Sequence, residues 1–316
     1  ERGGSSVLAV RVMKRMGRQG MPVDVRAMFA SPTVKELAVS VSRERMVEVP
    51  ANRIPAECEA ITPEMLPLVQ LTAGEVERIV GGVPGGAANV QDIYPLAPLQ
   101  EGILFHHLMG GEGDPYLLVS QLSFDSGERL EAYIAAMRGL IARHDILRTA
   151  VQWEGLSEPV QVVWRKAELA IEEVELDEAG GDGARQLYER YGPRRNRIDV
   201  RQAPLMRMYV AEDREKGRRL LLMLRHHLTG DHSTMEMVQE EIQAHLQGRA
   251  EQLPEPLPFR NLVAQARLGV SREEHEKYFR KLLGDVEEAT ETFGLLEVRG
   301  DGTGIEEERR KEERKV

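Results

Sequence analysis

The stretch at 205–227, LMRMYVAEDREKGRRLLLMLRHH, constrains the fold more than any other part of the sequence. Two apolar runs flank the polar segment EDREKGR, which is rich in charge and contains a glycine. This pattern is typical of a β-hairpin. The second run ends on two histidines, and STMEMVQEEIQAHLQG follows with the spacing of an amphipathic helix. The sequence therefore predicts a strand that presents polar side chains just before a helix, which we expect to begin with a Ser233–Glu236 capping pair.

Other segments predict the partners of this hairpin. Period-two alternation or β-rich composition predicts strands in YLLVSQLSF, ILRTAVQW, PVQVVW and AIEEVEL. Helical spacing predicts helices in APLQEGILFHHLM, ERLEAYIAAMRGLIARH, GDGARQLYERYG and VSREEHEKYFRKLLGDV. Strands in mixed order, with helices returning over them, predict an α/β sandwich.

The first 90 residues differ in composition from the rest. Capped, amphipathic segments within 6–42 predict a small helical unit. From 43 to 90, prolines and glycines interrupt the sequence around one short helix, which predicts a semi-rigid linker. The sequence begins without a methionine, and the helical unit lacks an upstream helix, so we expect a fragment of a longer protein.

The composition argues against several classes of protein. The formal net charge of −10 at pH 7 argues against broad nucleic-acid binding, which needs clustered lysine and arginine. The only cysteine, Cys58, excludes an internal disulfide framework and suits a reducing cytoplasm. No apolar run reaches the roughly 18 residues that a transmembrane helix needs, and the N-terminus lacks a secretion signal. We therefore expect a cytoplasmic protein without nucleic-acid or membrane partners.

Three histidines and an aspartate lie together at 226–232, HHLTGDH, and three interpretations of them stay open. A zinc site needs three or four convergent ligands, but the only cysteine is distant and no H-E-x-x-H spacing occurs. The second interpretation is structural, because Asp231 can cap the following helix. The third interpretation is chemical, because histidine transfers protons near neutral pH. Neither Ser233 nor Cys58 has the surroundings of a nucleophile, so the chemical role would be acid–base catalysis without a covalent intermediate.

The sequence GGSSVLAVRV opens the helical unit. On spacing alone, its Gly-Gly-Ser-Ser start is either a flexible helix cap or an exposed serine hydroxyl presented for modification. The segment resembles the carrier-protein motif G-G-x-S-L-x-A, and FASPTVKELA resembles the last helix of the same module. The resemblance implies that 1–42 is a peptidyl carrier domain, incomplete at its N-terminus, with 4′-phosphopantetheine attached to Ser6.

Further motifs resemble, in the right order, those of condensation domains of nonribosomal peptide synthetases. They are YPLAPLQEGILFHH at 94–107, RHDILRT at 143–149, HHLTGD at 226–231, which fits H-H-x-x-x-D-G up to its aspartate, and PFRNLVAQARLG at 258–269. The resemblance implies an α+β fold class, in which the small helical carrier bundle precedes an α/β sandwich lobe of the chloramphenicol-acetyltransferase-like type. It places the linker at 43–90, the N-terminal lobe at 91–270, and the start of the second lobe with a charged tail at 271–316.

The sequence HHLMGGEGD at 106–114 resembles an additional motif of dual condensation/epimerisation domains. In such a domain, His106 and His107 support epimerisation of the donor residue from L to D, and Gly113 with Asp114 supports the site. His232 stands where the general condensation motif has glycine, and a histidine there is associated with the same dual subclass.

The resemblance also implies individual roles in peptide-bond formation. Ser6 carries the donor thioester. His227 transfers a proton and positions the attacking amine, while His226 is mainly structural. Asp231 forms an ion pair with an arginine such as Arg148, which holds the loop in shape.

The implied partners are an upstream adenylation domain, a downstream carrier domain, a phosphopantetheinyl transferase, and aminoacyl or peptidyl thioester substrates. No metal is expected. Three alternatives remain: an ordinary condensation domain without epimerase activity, a non-catalytic carrier and docking fragment, and an acyltransferase that uses coenzyme A. The GGSS unit argues against the last of these. The sequence ends soon after the first lobe, so we expect catalytic residues without a complete active site.

Overall fold

The structure of the chain is a computed structural model, and the residues that it describes fall into two compact units. The described residues are 47–285 except Glu178, together with Val12, Met13, Arg15, Met16, Thr33 and Lys35. The first unit extends to Gly269, and the second begins at Val270. Apart from those six residues, the predicted carrier bundle at 1–42, including Ser6, lies outside the described residues, as does the charged tail.

The described chain contains both helices and strands. The helices are α1 (Ala73–Gly81), α2 (Pro98–Met109), α3 (Gly127–Arg143), α4 (Gly183–Tyr191), α5 (His232–Leu246), α6 (Arg260–Leu268) and α7 (Arg272–Leu283). The strands are β1 (Val90–Pro95), β2 (Leu117–Phe124), β3 (Thr149–Gln152), β4 (Val160–Trp164), β5 (Ala170–Val174), β6 (Met206–Asp213) and β7 (Arg218–His226).

A four-stranded sheet with the order β2-β7-β6-β5 forms the centre of the first unit. Strands β6 and β7 form the predicted antiparallel hairpin, and β2 pairs antiparallel with the other side of β7. Strand β5 pairs parallel with β6 at the far edge. Strand β7 is therefore internal and buried on both faces, which is why its sequence is continuously apolar rather than alternating.

Different helices cover the two faces of this sheet. Side chains alternate along a strand, so Leu221 and Met223 of β7 pack with α3 and α5, whereas Leu222 packs on the opposite face with α2 and α4. Sheet and helices thus form a mixed α and β lobe, as the sequence predicts. The lobe positions the C-terminal end of β7 between the end of α2 and the start of α5.

A second, antiparallel sheet has the order β1-β4-β3 and packs against α1 and the segment before it. Its core includes the following buried side chains from 54–83: Ile54, Cys58, Leu66, Val69, Leu71, Val76, Ile79 and Val83. The prediction of a linker is therefore wrong for this segment, because a linker exposes its side chains and these residues form part of the core. Strand β1 escapes sequence prediction because Asp92 and Pro95 interrupt its apolar pattern.

The RHDILRT segment joins the C-terminal end of α3 to two other helices. His144 Nε2 and Arg143 Nε lie 2.8 and 3.2 Å from Glu241 Oε2 in α5. Asp145 Oδ2 accepts a hydrogen bond of 2.9 Å from the backbone N–H of Phe259, directly before α6. The segment is therefore a structural junction that fixes α5 and α6 relative to the end of α3.

Arg148 belongs to the same junction and not to an ion pair with Asp231. Its Nη1 donates to Gln91 Oε1 at 2.6 Å and to the backbone oxygen of Trp164. The predicted Arg148–Asp231 pair is therefore wrong. Arg148 is buried and directed at the second sheet, where backbone and amide oxygens take up its donors.

Within its described residues, the second unit contains helix α7, as VSREEHEKYFRKLLGDV predicts. Ser271 and Glu274 form a capping box: Ser271 Oγ accepts from the Glu274 N–H at 3.2 Å, and Glu274 Oε2 accepts from the Ser271 N–H at 3.1 Å. In the described part of the chain, no helix combines the length and the apolar character that a membrane span requires.

Helix α6 is anchored to β1 by a buried ion pair, in which Arg260 Nε lies 3.3 Å from Asp92 Oδ2. Burial raises the pKa of Asp92 to about 6, although the charge of Arg260 acts in the opposite direction. The unfolded value is about 3.9. Between these values the folded state binds more protons than the unfolded state, so Asp92 makes the free energy of unfolding fall as the pH rises from about 4 to 6.

We predict that Asp92→Asn removes this fall in the free energy of unfolding, which amounts to at most about 3 kcal/mol between pH 4 and pH 7. Urea unfolding at each pH unit measures this difference. The matched control is Asp125→Asn, which removes an exposed carboxylate. Parallel stability curves for the parent chain and Asp92→Asn would contradict the prediction.

Candidate active site

Three buried side chains from separate parts of the chain meet where α2 and β7 end. His107 lies near the end of α2, Asp114 lies in the loop before β2, and His226 is the last residue of β7. Asp114 Oδ2 is 2.6 Å from His107 Nδ1 and 3.1 Å from His226 Nε2. The imidazole rings are edge to face, with centroids 5.1 Å apart. One carboxylate oxygen therefore links the two histidine pairs of the sequence.

The hydrogen bonds of His226 define its tautomer. Its Nδ1 accepts a hydrogen bond of 3.2 Å from the backbone N–H of Leu228, so Nδ1 carries no proton. Its Nε2 then carries the proton and donates to Asp114. Burial lowers the pKa of His226, although the neighbouring Asp114 carboxylate acts in the opposite direction. His226 is thus a neutral imidazole with both nitrogens bonded inside the protein.

Asp114 is the ionised member of this network. Burial raises the pKa of its carboxyl, but the hydrogen bonds from His107 and His226 outweigh burial and hold this pKa well below its usual range. The second carboxylate oxygen, Oδ1, accepts from the backbone N–H of Tyr116 at 2.9 Å. A buried carboxylate with three N–H donors remains charged at neutral pH.

The same three side chains have the composition of a metal site, since one ligand atom from each lies within 4.8 Å of the others. Their hydrogen bonds argue against this use. The lone pair of His226 Nδ1 receives the Leu228 N–H, and its Nε2 carries a proton, so neither nitrogen has a lone pair for a metal ion. The network therefore fits a hydrogen-bonded histidine pair better than a ligand set.

The Asp114 loop rests closely on the segment after α4. The backbone N–H of Asp114 donates to Pro193 O at 3.0 Å. A Cβ atom at Gly113 would lie 2.6 Å from Arg194 O and 2.8 Å from Pro193 O, closer than carbon and oxygen can approach. Gly113 is therefore required by the close approach of two backbone segments.

Arg197 fixes the other side of this loop. Its guanidinium donates to the backbone oxygens of Gly110 and Gly111 at 2.7 and 3.0 Å, and also to that of His107. These carbonyls are at the C-terminal end of α2, where a cation also interacts favourably with the helix dipole. Sequence reasoning missed Arg197, because only its position in the fold connects it with α2.

His227 and His106 differ from the buried pair. The His227 ring is half-buried, packs edge to face on Tyr116 with centroids 6.3 Å apart, and makes no hydrogen bond to any described residue. Its backbone N–H donates to Tyr116 O at 2.9 Å. The His106 ring is exposed, and its centroid lies 5.9 Å from the centroid of the same Tyr116 ring. His227 thus has a fixed backbone and an imidazole that is available to a ligand.

Asp231 has a structural position at the start of α5. Its Oδ1 accepts from the Thr234 N–H at 3.0 Å, so Asp231 is the N-cap, and the predicted Ser233–Glu236 cap is wrong. Its charge acts on Arg225. Burial lowers the pKa of the Arg225 guanidinium, although the charge of Asp231 acts in the opposite direction. Neither terminal nitrogen of the buried Arg225 guanidinium has a hydrogen-bond partner among the described residues. The cation that Asp231 influences is therefore Arg225. The side chain of the predicted site residue His232 lies outside the described residues.

The turn at His227–Thr229 is attached to the first turn of α2 through Gln100. The buried Gln100 Nε2 donates to Leu228 O at 3.0 Å and to Gln161 Oε1 at 2.9 Å. Its Oε1 accepts from the Ala97 N–H at 2.9 Å. Sequence reasoning missed this residue, although a glutamine among apolar positions at a helix start was a signal for a buried polar contact.

We predict that Gly113→Ala destabilises the chain by about 1–3 kcal/mol, because the added methyl group would separate the Asp114 loop from Pro193 and Arg194. The matched control is Gly111→Ala in the same loop, where an added Cβ would have no neighbour within 4 Å. Urea unfolding gives the free energies. Equal stability of the two variants would contradict the close approach that the structure shows.

Comparisons with known proteins identify the family of the chain. A family model described as a condensation domain matches residues 90–298. Malpinin synthetase of Mortierella alpina is 50% identical over 305 residues, which cover 96% of this chain and 4% of that protein. Nonribosomal peptide synthetase 8 of Aspergillus fumigatus is 28% identical over 293 residues, covering 90% of this chain and 3% of that protein. The chain thus spans a small part of the length of these relatives.

A solved structure shows the same fold. The condensation domain of the monacolin K polyketide synthase MokA superposes with a TM-score of 0.50 at 16% identity, over 64% of this chain and 44% of that one. The family match includes every strand and all helices from α2 to α7. This chain is a member of the condensation domain family.

Proposed function

We propose that the chain catalyses peptide-bond formation in a nonribosomal peptide synthetase. The donor is an aminoacyl or peptidyl thioester on an upstream carrier domain, and the acceptor is the amine of an aminoacyl group on a downstream carrier domain. Membership of the condensation domain family and the similarity to two synthetases support this proposal.

The difference between the two adjacent histidines is the observation that carries the proposal. Both ring nitrogens of His226 are bonded inside the protein, whereas the half-buried His227 ring has no hydrogen bond to the described chain. His227 is therefore the residue that can accept a hydrogen bond from the attacking amine. Attack forms the C–N bond and expels the carrier thiol, while His227 takes up the proton that the amine loses. Because aminolysis of a thioester is favourable, orientation of the amine contributes more than base strength.

We further propose that the same site epimerises the donor residue from L to D before condensation. The HHLMGGEGD motif supports this proposal, since its Asp114 contacts both His107 of the motif and His226 of the condensation motif. A loop that enters the network of the condensation motif is well placed to act on the same substrate.

We propose that Ser6 carries the phosphopantetheine arm of the donor carrier. When bound, this group holds the donor residue as a thioester. The alignment to malpinin synthetase covers 96% of the chain, so it includes most of 1–42, but Ser6 lies outside the described residues. The further partners are an upstream adenylation domain and the phosphopantetheinyl transferase that modifies Ser6.

We predict that His227→Ala, in the complete synthetase, lowers the rate of peptide-bond formation by about 10²–10⁴-fold, because the amine loses its acceptor. The fold and the phosphopantetheine mass shift on Ser6 should be retained. His245→Ala is the matched control, since this half-buried histidine is at the opposite end of α5. A normal dipeptide yield from His227→Ala would overturn the role assigned to His227.

A second prediction concerns epimerisation. With an L-donor on the upstream carrier in deuterated water, we expect deuterium at the donor α-carbon and a D-residue in the product, because the α-proton is removed and replaced from solvent. Mass spectrometry and chiral chromatography of the released product measure both. An all-L product without deuterium would identify an ordinary condensation domain.

A further inference from the structure

Asp114 affects the two imidazoles that it contacts in different ways. It accepts from His107 at Nδ1 and from His226 at Nε2. The remaining nitrogen of His226 already receives the Leu228 N–H. The remaining nitrogen of His107, Nε2, makes no hydrogen bond to any described residue, and its side chain keeps 7% of its exposure. Of the two histidines in the network, only His107 therefore retains a nitrogen lone pair for an external ligand.

We infer that His107 is the catalytic base that removes the α-proton of the carrier-bound donor, and that Asp114 is the positioning residue that fixes the His107 tautomer. This inference rests on the proposed epimerase function. A carboxylate that accepts from Nδ1 keeps the proton there and leaves Nε2 as the basic atom. The same carboxylate stabilises the imidazolium that forms when Nε2 takes a proton.

The proton transfers balance without any further reagent except water. His107 Nε2 forms a bond to the α-hydrogen as the C–H bond breaks, and the electron pair moves into a thioester enolate. Water then gives a proton to the opposite face of the α-carbon, which restores the thioester with inverted configuration. The imidazolium returns its proton to the resulting hydroxide or to solvent. The chain gains no net charge over the cycle.

Four charged or polar groups lie close to His107. Asp114 lies against Nδ1, and the neutral His226 lies against the ring edge. Asp199 interacts electrostatically with His107 from the segment before β6. Arg197 binds the backbone oxygen of His107, and its guanidinium is therefore directed at the helix end.

The test compares two rates in the complete synthetase with His107→Asn. Asparagine retains an N–H donor near the position of Nδ1, so it keeps the bond to Asp114 but has no basic nitrogen. We expect loss of α-deuterium exchange from an L-donor by about 10²-fold or more. The rate of peptide-bond formation from a preloaded D-donor should also fall, but by a factor at least ten times smaller than the factor for exchange. Circular dichroism and urea unfolding report whether the variant is folded.

A second measurement does not depend on activity. Nitrogen-15 NMR of histidine-labelled chain should show the Nδ1–H tautomer for His107 and the Nε2–H tautomer for His226. In Asp114→Asn, the preference of His107 for Nδ1–H should be lost. An Nε2–H tautomer of His107 in the parent chain would overturn the inference, even if His107→Asn did not fold.

The outcomes separate the inference from the proposed function. Exchange in the parent synthetase together with its selective loss in His107→Asn supports both. Exchange that persists within fivefold in a folded His107→Asn overturns the role of His107 and leaves epimerisation in place. Peptide formation without any exchange in the parent synthetase overturns the epimerase proposal and this inference with it.

Discussion

The shared oxygen of Asp114 is the contact on which the arrangement of this site depends. It connects residues 112 positions apart in the sequence, because His226 ends the central strand and Asp114 lies in the loop after α2. Burying a carboxylate in a protein interior is unfavourable unless hydrogen bonds compensate for the lost water. Here two imidazole N–H groups and the Tyr116 N–H supply that compensation. The Asp114 carboxylate therefore sets the orientation of the His107 and His226 rings together.

The surrounding fold holds this network from several directions. Gln100 at the start of α2 is bonded to the turn that carries His227, and Arg197 is bonded to the carbonyls at the end of the same helix. Helix α5, which begins directly after the turn, is fixed through Glu241 to the junction at Arg143 and His144. His107 thus lies near the end of a helix that is bonded at both ends, and His227 lies on the short turn between β7 and α5. Such support restricts the movement of the imidazole nitrogens, as proton transfer over hydrogen-bond distances requires.

Sequence patterns predicted the parts of this structure that depend on local periodicity. The β6–β7 hairpin and the helices α3, α5 and α7 have apolar spacing that needs no tertiary information. Patterns failed where the environment decides: residues 54–83 have many prolines and glycines but are buried by the second sheet. At the site, motif resemblance identified His107, Asp114 and His226 separately. The meeting of Asp114 with His226 depends on the register of β2 with β7, which places Leu117 opposite His226. Motif resemblance assigned Asp231 wrongly to Arg148, which is bonded to Gln91 at the second sheet, whereas the charge of Asp231 acts on Arg225.

The contact between Gly113 and the Pro193–Arg194 backbone has a consequence for the engineering of assembly lines. The HHLMGGEGD loop does not hold its shape alone, because the segment that begins at Pro193 supplies the surface on which it rests, and Arg197 supplies the donors to its carbonyls. The loop and residues 193–197 therefore have to be transferred together. A chimera that receives the nine-residue motif without the matching segment acquires the histidines but not the carboxylate geometry that unites them.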